Sequence, residues 1–448
     1  MPPIPEYHLS EITYQADPLP RLISLRGLGS PVLLDSADNR SQLGRYSILS
    51  AAPAEQIEST GNLDDVFSKL RDALRTLGPA RWPNARQLPF GAGALGYLSY
   101  DLARELEDLP TTAKADIQLP NLSLGIHLWS LVTDHLLQRC WLVCHPALPA
   151  AQRIELLEHL KSAQTSLKPF QLQVPFHAEQ SKTDYSHAFD RIQRYIHAGD
   201  CYQINLAQRF STRFKGDPLD AYRQLRKASP TPFSAYLETP HGALLSLSPE
   251  RFLQLRDAQI EARPIKGTRA RGNTPEEDQV LAAELQQCAK DRAENLMIVD
   301  LLRNDLGRSC VPGSIRVPEL FGLESYPNVH HLVSSVTGTL RPDQDAIDLL
   351  RNTFPGGSIT GAPKIRAMQI IEELEPVRRS LYCGGVGYIG CEGQMDFNIA
   401  IRSLICTNQQ IYCWGGGGIV ADSNVDAEYQ ETLTKISNLL SALPVKSA

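Results

Sequence analysis

Several common signatures are missing from this 448-residue chain. It has nine cysteines, an odd number, and no Cys-x-x-Cys pair among them. They sit in apolar contexts such as "LYCGG", "LICTN" and "IYCWG", and Cys140 with Cys144 stands apart from other metal-ligand residue types. This usage predicts buried, reduced thiols in a cytoplasmic protein rather than a disulfide framework or a thiolate zinc site. No apolar run reaches the roughly 18 residues of a membrane-spanning helix. The N-terminal "MPPIPEYHLS" lacks the basic and apolar regions of a secretory signal. Basic charge is not in excess either. The formal net charge is −6, which argues against broad nucleic-acid binding.

What remains is an ordinary globular composition, 42% hydrophobic and 21% charged, long enough for one large or two ordinary domains. No fixed-period repeat is visible, although "GALGYLS" and "GGVGYIG" echo each other. The organisation reads as an N-terminal region over 1–165, a connection over 166–182 ("SLKPFQLQVPFHAEQSK") and a third region over 183–442. "NLDDVFSKLRDALRTLG" and "TDYSHAFDRIQRYIHAGD" have helical periodicity, while "LGYLSYD", "HGALLSLSP" and "ERFLQLRD" alternate as strands. Strand follows strand more often than strand follows helix. That order favours an antiparallel α+β design over a doubly wound sheet.

Two acidic stretches draw attention. "NTPEEDQVLAAELQQCAKDRAENLMIVDLLRNDLG" reads as a long helix capped by Thr274 and Pro275, with Asp291 and Glu294 on one face. "SNVDAEYQETLTKISNLLSAL" follows the glycine run "WGGGGIV" and aligns Glu428, Glu431 and Lys435. Four acids on two helices suit a hard, oxygen-ligated cation such as Mg²⁺, and histidine is not needed. The alternative is a pair of salt-bridged surface helices, with Lys290 and Arg292 as the partners of the first pair.

"FPGGSITGAPKIRAMQIIEEL" imitates a phosphate loop, but Ala362 follows Gly361 where a Walker lysine belongs. Gly356, Gly357 and Gly361 nonetheless lead to a helix beginning near Pro363, whose free N–H groups favour an anion. A tight turn with exposed Lys364 and Arg366 is the plainer alternative. "MDFNIAIRSLICTN" reads as one strand with Arg402 amid apolar residues, where a bidentate carboxylate is a natural partner. In "EARPIKGTRARGN", strand alternation puts Arg263, Arg269 and Arg271 on one face and Lys266 with Thr268 on the other.

These segments together resemble the chorismate-utilising enzymes, a family that includes anthranilate, isochorismate and salicylate synthases. The resemblance rests on "GDCYQINLAQRF", "LSPERFL", "RPIKGTRARG", "KDRAENLMIVDLLRNDLGR", "FPGGSITGAPKIRAMQII", "YCGGVGYIG", "FNIAIRS" and "GGGGIVADSNVDAEYQETLTK", in order over residues 199–435. It implies two large antiparallel β-sheets packed as a sandwich, helices outside and the active site between. It implies Mg²⁺ at Glu294 and Glu431, supported by Asp291 and Glu428. Chorismate would then meet Arg402, Tyr382 and the Gly416, Gly417 and Gly418 backbone, with His331 and Ser358 also in contact.

Two positions divide the family by resemblance. Water-adding members have a lysine base where this chain has Gln203, so an ammonia nucleophile is implied. Anthranilate synthases read "PIAGT" where this chain reads "PIKGT", which implies the branch making 4-amino-4-deoxychorismate for para-aminobenzoate and folate. Lys266 is then expected as covalent nucleophile and Glu250 as general acid, with the arginine cluster helping to lower the lysine pKa. No cysteine has Gly-x-Cys-x-Gly surroundings, so a separate glutamine amidotransferase subunit is the implied ammonia source. The alternatives are an anthranilate synthase component I and a silent regulatory homologue. The latter would use a tryptophan pocket at Ser36, Pro232 and Phe233, but the retained Glu250, Lys266, Glu294 and Glu431 argue against it.

Overall fold

In a computed structural model, described over residues 3–38, 42–59, 61–83, 87–161, 166–326 and 329–446, the strands collect into two sheets. The first has thirteen strands among the described residues and the second ten. The strand pairings within both sheets are antiparallel. The antiparallel α+β class expected from the order of elements, and the two large antiparallel sheets implied by the family resemblance, are thus what the chain adopts. Strands from both sides of 166–182 enter the first sheet, where Val32–Asp35 pairs with Phe233–Thr239. The second sheet joins Gly93–Leu98 to Gly385–Gly390.

Alternation along the strands builds the layers. Leu244 of Gly242–Ser248 enters a core that also contains Leu253, Val386 and Phe397 of the second sheet. Its neighbour Leu245 packs on the opposite side with Leu22, Tyr222 and Leu439, all from helices. Ile405 and Leu404 divide the same way. Two-residue periodicity therefore gives one strand both an inter-sheet face and a helix-covered face. No helix among the described residues is long and apolar enough to cross a membrane. None of the nine cysteines forms a disulfide, and seven are buried.

Three expectations about elements need correction. The supposed long acidic helix is two helices, Pro275–Gln287 and Ala289–Gly307, broken at Cys288, which has ψ 112°. The break lets Leu285 bury fully and brings it, with Asp291, against Gly267, where any Cβ would meet Leu285 at 2.9 Å. "MDFNIAIRSLICTN" is also not one strand. Met395–Asn398 belongs to the second sheet and Ser403–Thr407 to the first. The chain changes sheets over 399–402, with Arg402 at φ 50°. Finally, alternation does not run through the lysine strand Ile265–Ala270. A bulge between Ile265 and Thr268 interrupts its pairing, and Gly267 takes φ 83°, a conformation that glycine adopts without penalty.

Candidate active site

Two of the candidate residues lie where the chain passes between sheets. Gly242–Ser248 lies in the first sheet and Arg251–Arg256 in the second, and Glu250 sits at the corner between them. Arg402 occupies the equivalent corner on the neighbouring strand pair, and Ile399 N–H donates to the Glu250 carbonyl at 3.0 Å. Corner backbone leaves the ladder, so these side chains are free to point between the layers.

Ser358 joins the two groups expected to do chemistry. Its hydroxyl donates to Glu250 Oε1 at 2.8 Å, and its carbonyl accepts from Lys266 Nζ at 2.9 Å. Burial raises the Glu250 carboxyl to about 7, an effect the Ser358 hydrogen bond and Lys266 only partly oppose. Burial also lowers Lys266; Glu294 opposes that shift and Lys435 adds to it. Both groups are thereby moved toward their neutral forms, the protonation states of an acid and an attacking amine.

The arginines do not contribute as expected. Arg263 is tied to Glu319 and Glu324, Arg269 to Asp291, and Arg271 to Asp278. Each is neutralised by its own carboxylate, and the cation that matters to Lys266 is Lys435.

The opposite wall is the pair of long strands Gln203–Lys215 and Gln410–Ile419, registered so that Asn205, Leu206 and Ala207 face Gly418, Gly417 and Gly416. Each glycine clears room for a different side chain. A Cβ on Gly418 would collide with Gln203 Nε2, one on Gly416 would stand 2.7 Å from the Tyr382 hydroxyl, and one on Gly417 would stand 3.2 Å from Glu428 Oε2. Gln203 is 1% exposed, and its Oε1 has no hydrogen-bond partner. Tyr382 stacks on Trp414 with centroids 5.9 Å apart.

Arg402 makes no ion pair among the described residues, and burial lowers its pKa despite Glu250. His331 accepts from or donates to Thr268 Oγ1 through Nδ1 at 2.9 Å. Burial, with Arg402 close by, pushes it down to about 3, so it is neutral. An unpaired guanidinium beside a neutral imidazole suits an incoming carboxylate.

The four acids divide. Asp291 is bound to Arg269 at 3.0 Å, and Glu431 to Lys435 at 2.6 Å. Lys290 lies 3.1 Å from Glu428 and 3.9 Å from Glu294. With the side chains so paired, no three His, Cys, Asp or Glu residues among the described ones form a metal-holding group. Glu428 Oε2 is nonetheless buried without a partner, next to Glu431 Oε1 above Gly417. An orphaned carboxylate oxygen in an all-oxygen donor set fits a hard dication.

Elsewhere, the glycine segment forms a short 3₁₀ turn, Gly357–Ile359, and a two-residue strand, Gly361–Ala362, paired with Gln203 and Ile204. It builds a wall of the site before the helix Lys364–Leu374 begins. Lys364 is not an exposed helix charge, because its ammonium is paired with Asp305 at 2.6 Å and its side chain is 12% exposed. Ser36 Oγ lies 3.4 Å from the Pro232 carbonyl, and Phe233 packs under Arg251. A cavity of about 360 Å³ lined by Ser99, Asp116, Asn121 and Arg378 contains none of the candidate residues.

Sequence reasoning missed Glu375 and Arg379. Fully buried Arg379 binds both oxygens of Glu375 and donates to the carbonyls of Ile359 and Asn205 at 3.0 and 2.6 Å. It thus clamps the Ser358 turn to the Gln203 strand. Their i, i+4 spacing in "EPVRRS" looks like an exposed helix pair, so nothing local announces burial.

Residues 29–441 match the family described as chorismate binding enzyme. The chain is 46% identical over 426 residues to aminodeoxychorismate synthase component 1 of Salmonella typhimurium, covering 92% of each. It is 48% identical over 391 residues to the Escherichia coli protein of the same name, covering 87% of this chain and 85% of that one. Anthranilate synthase component I from Streptococcus pneumoniae superposes with a TM-score of 0.78 at 31% identity, over 89% of this chain and 93% of the other.

Proposed function

Because the chain belongs to the chorismate-binding enzymes, we propose that it converts chorismate and ammonia to 4-amino-4-deoxychorismate, as an aminodeoxychorismate synthase component 1. The observation that supports this reading best is the Lys266–Ser358–Glu250 arrangement, which brings to one turn an amine whose pKa burial lowers and a carboxyl whose pKa burial raises. The higher identity to relatives named for this synthase than to the anthranilate synthase structure supports it further.

In the proposed reaction the neutral amine of Lys266 attacks ring C2. The ring double bonds shift and the C4–oxygen bond breaks. Glu250 gives its proton to the departing hydroxyl, which leaves as water. Glu250, now a carboxylate, takes the surplus proton from the new lysine–carbon ammonium. Ammonia then adds at C4, the C2–nitrogen bond breaks, and the lysine leaves protonated by Glu250. The new C4 ammonium loses its proton to restore Glu250. The net change is chorismate plus ammonia to aminodeoxychorismate plus water. The unpaired Oε1 of Gln203 is an acceptor for ammonia, and an amide cannot act as a base toward water. Arg402 and Tyr382 would hold the enolpyruvyl carboxylate.

Glu294 and Glu431, supported by Asp291 and Glu428, would hold Mg²⁺, which when bound screens the negative charge of the ring carboxylate. Ammonia would come from a separate glutamine amidotransferase subunit. Incubating the chain with chorismate, Mg²⁺ and ammonium, with products read by mass, tests the proposal. Aminodeoxychorismate is expected, and glutamine alone should give none. Formation of anthranilate would replace this reading with the tryptophan-branch activity.

A further inference from the structure

We infer that Lys290 is an internal counter-cation, bound in the acidic cluster when no metal ion is present and displaced when one arrives. The inference rests on reading that cluster as a divalent-cation site. Two helices contribute side chains there. Ala289–Gly307 contributes Glu294, and Val425–Ala442 contributes Glu428 and Glu431. Carboxylates brought together from two helices repel unless a positive charge stands between them.

Lys290 supplies that charge. Its ammonium lies 3.1 Å from Glu428 Oε1 and 3.9 Å from Glu294 Oε1, so one cation spans both helices. Among the other nearby cations, Lys266 faces Glu294 and Glu431 but forms an ion pair with neither among the described residues. Lys435 binds Glu431 on its own helix and the Gly416 carbonyl, and Arg269 ties Asp291 to the lysine strand. Lys290 also leaves its work incomplete. The Glu428 side chain is only 3% exposed. Its Oε1 accepts from both Lys290 and Ser423, while the buried Oε2 has no donor.

A buried carboxylate oxygen without a partner is costly, so the Lys290-bound state satisfies the cluster only in part. A dication offers twice the charge and can reach both oxygens. Displacement needs no unfolding, because the Lys290 side chain is 46% exposed and can turn into solvent. The lysine therefore lowers metal affinity in exchange for holding the two helices in register without the ion.

Titration calorimetry with Mg²⁺ alone, and electron paramagnetic resonance with Mn²⁺ alone, read this directly without turnover. Lys290→Met should bind either ion on the order of tenfold more tightly than the parent chain. Lys290→Arg, which keeps charge and reach, should not. Lys182→Met is the control for general electrostatics, since Lys182 pairs with Asp426 on the same C-terminal helix but outside the cluster. Equal or weaker binding by Lys290→Met, or equal tightening by Lys182→Met, would overturn the counter-cation role while leaving the metal site standing. Absence of ion binding by every chain, including the parent, would instead overturn the magnesium reading itself.

Discussion

Ser358 and Glu250 are joined by a 2.8 Å hydrogen bond in which the hydroxyl donates to the carboxyl group. The bond favours the carboxylate and so works against the burial that raises Glu250 to about 7. Ser358 thus tunes the acid and, through its carbonyl, fixes the lysine.

Ser358→Ala should remove the opposing influence and leave the lysine–carbonyl contact intact. The alkaline limb of the pH–rate profile, expected near 7 because a general acid must be protonated, should move upward. A limb that stays in place or moves down would show that Ser358 does not set the Glu250 pKa.

Glu250→Gln should lose activity by about 10²- to 10⁴-fold, the usual contribution of general acid catalysis. It should also stabilise the fold at alkaline pH. A carboxyl whose folded pKa is raised binds its proton more tightly when folded, so stability from this group is lost as pH rises from about 4.5 to about 7. At 1.36 kcal/mol per unit, the glutamine variant should gain up to roughly 3 kcal/mol at pH 8 and little at pH 4. Denaturant titration at the two pH values checks the sign.

Lys266→Ala should give no covalent adduct when chorismate is supplied without ammonia, whereas the parent chain should gain one in intact-mass spectra. Lys266→Arg should also fail, since a guanidinium cannot become a neutral nucleophile. An adduct of unchanged mass on the alanine variant would remove the nucleophile role and leave Lys266 an ordering residue.

Arg402→Met should separate binding from stability. The guanidinium has no ion-pair partner among the described residues and burial disfavours its charge, so apolar replacement should leave the melting temperature unchanged or higher. The Michaelis constant for chorismate should rise steeply, by the 2–5 kcal/mol typical of truncating one partner of a buried charged pair. Lost stability with an unchanged Michaelis constant would mark Arg402 as structural.

The strand alternation and the acid stripes were legible because they depend on local periodicity, and so was the antiparallel class. Family resemblance supplied the site residues around Glu250 and Arg402. What stayed hidden was non-local. Nothing in "MDFNIAIRSLICTN" signals that residues 399–402 change sheets, because each half has a normal strand pattern. The break at Cys288 follows from Leu285 and Asp291 meeting Gly267, twenty or so positions away. The arginines around Lys266 read as one electropositive group because their separate carboxylates, from Asp278 to Glu324, lie outside that stretch. The burial of Arg379 is non-local in the same way, since its carbonyl partners Ile359 and Asn205 are distant in sequence.

The two corners at which the chain changes sheets tie activity to cooperativity. Glu250 and Arg402 are held only while both sheets are formed, and the Gly416–Gly418 wall arrives later still in the chain. No amino-terminal segment ending before residue 403 can assemble the pocket during synthesis, however well its own strands pair. Amide protons on either side of Glu250 and Arg402 should therefore exchange only through global opening, among the slowest in the molecule. A pocket built in this way has no partly folded state in which it is already assembled.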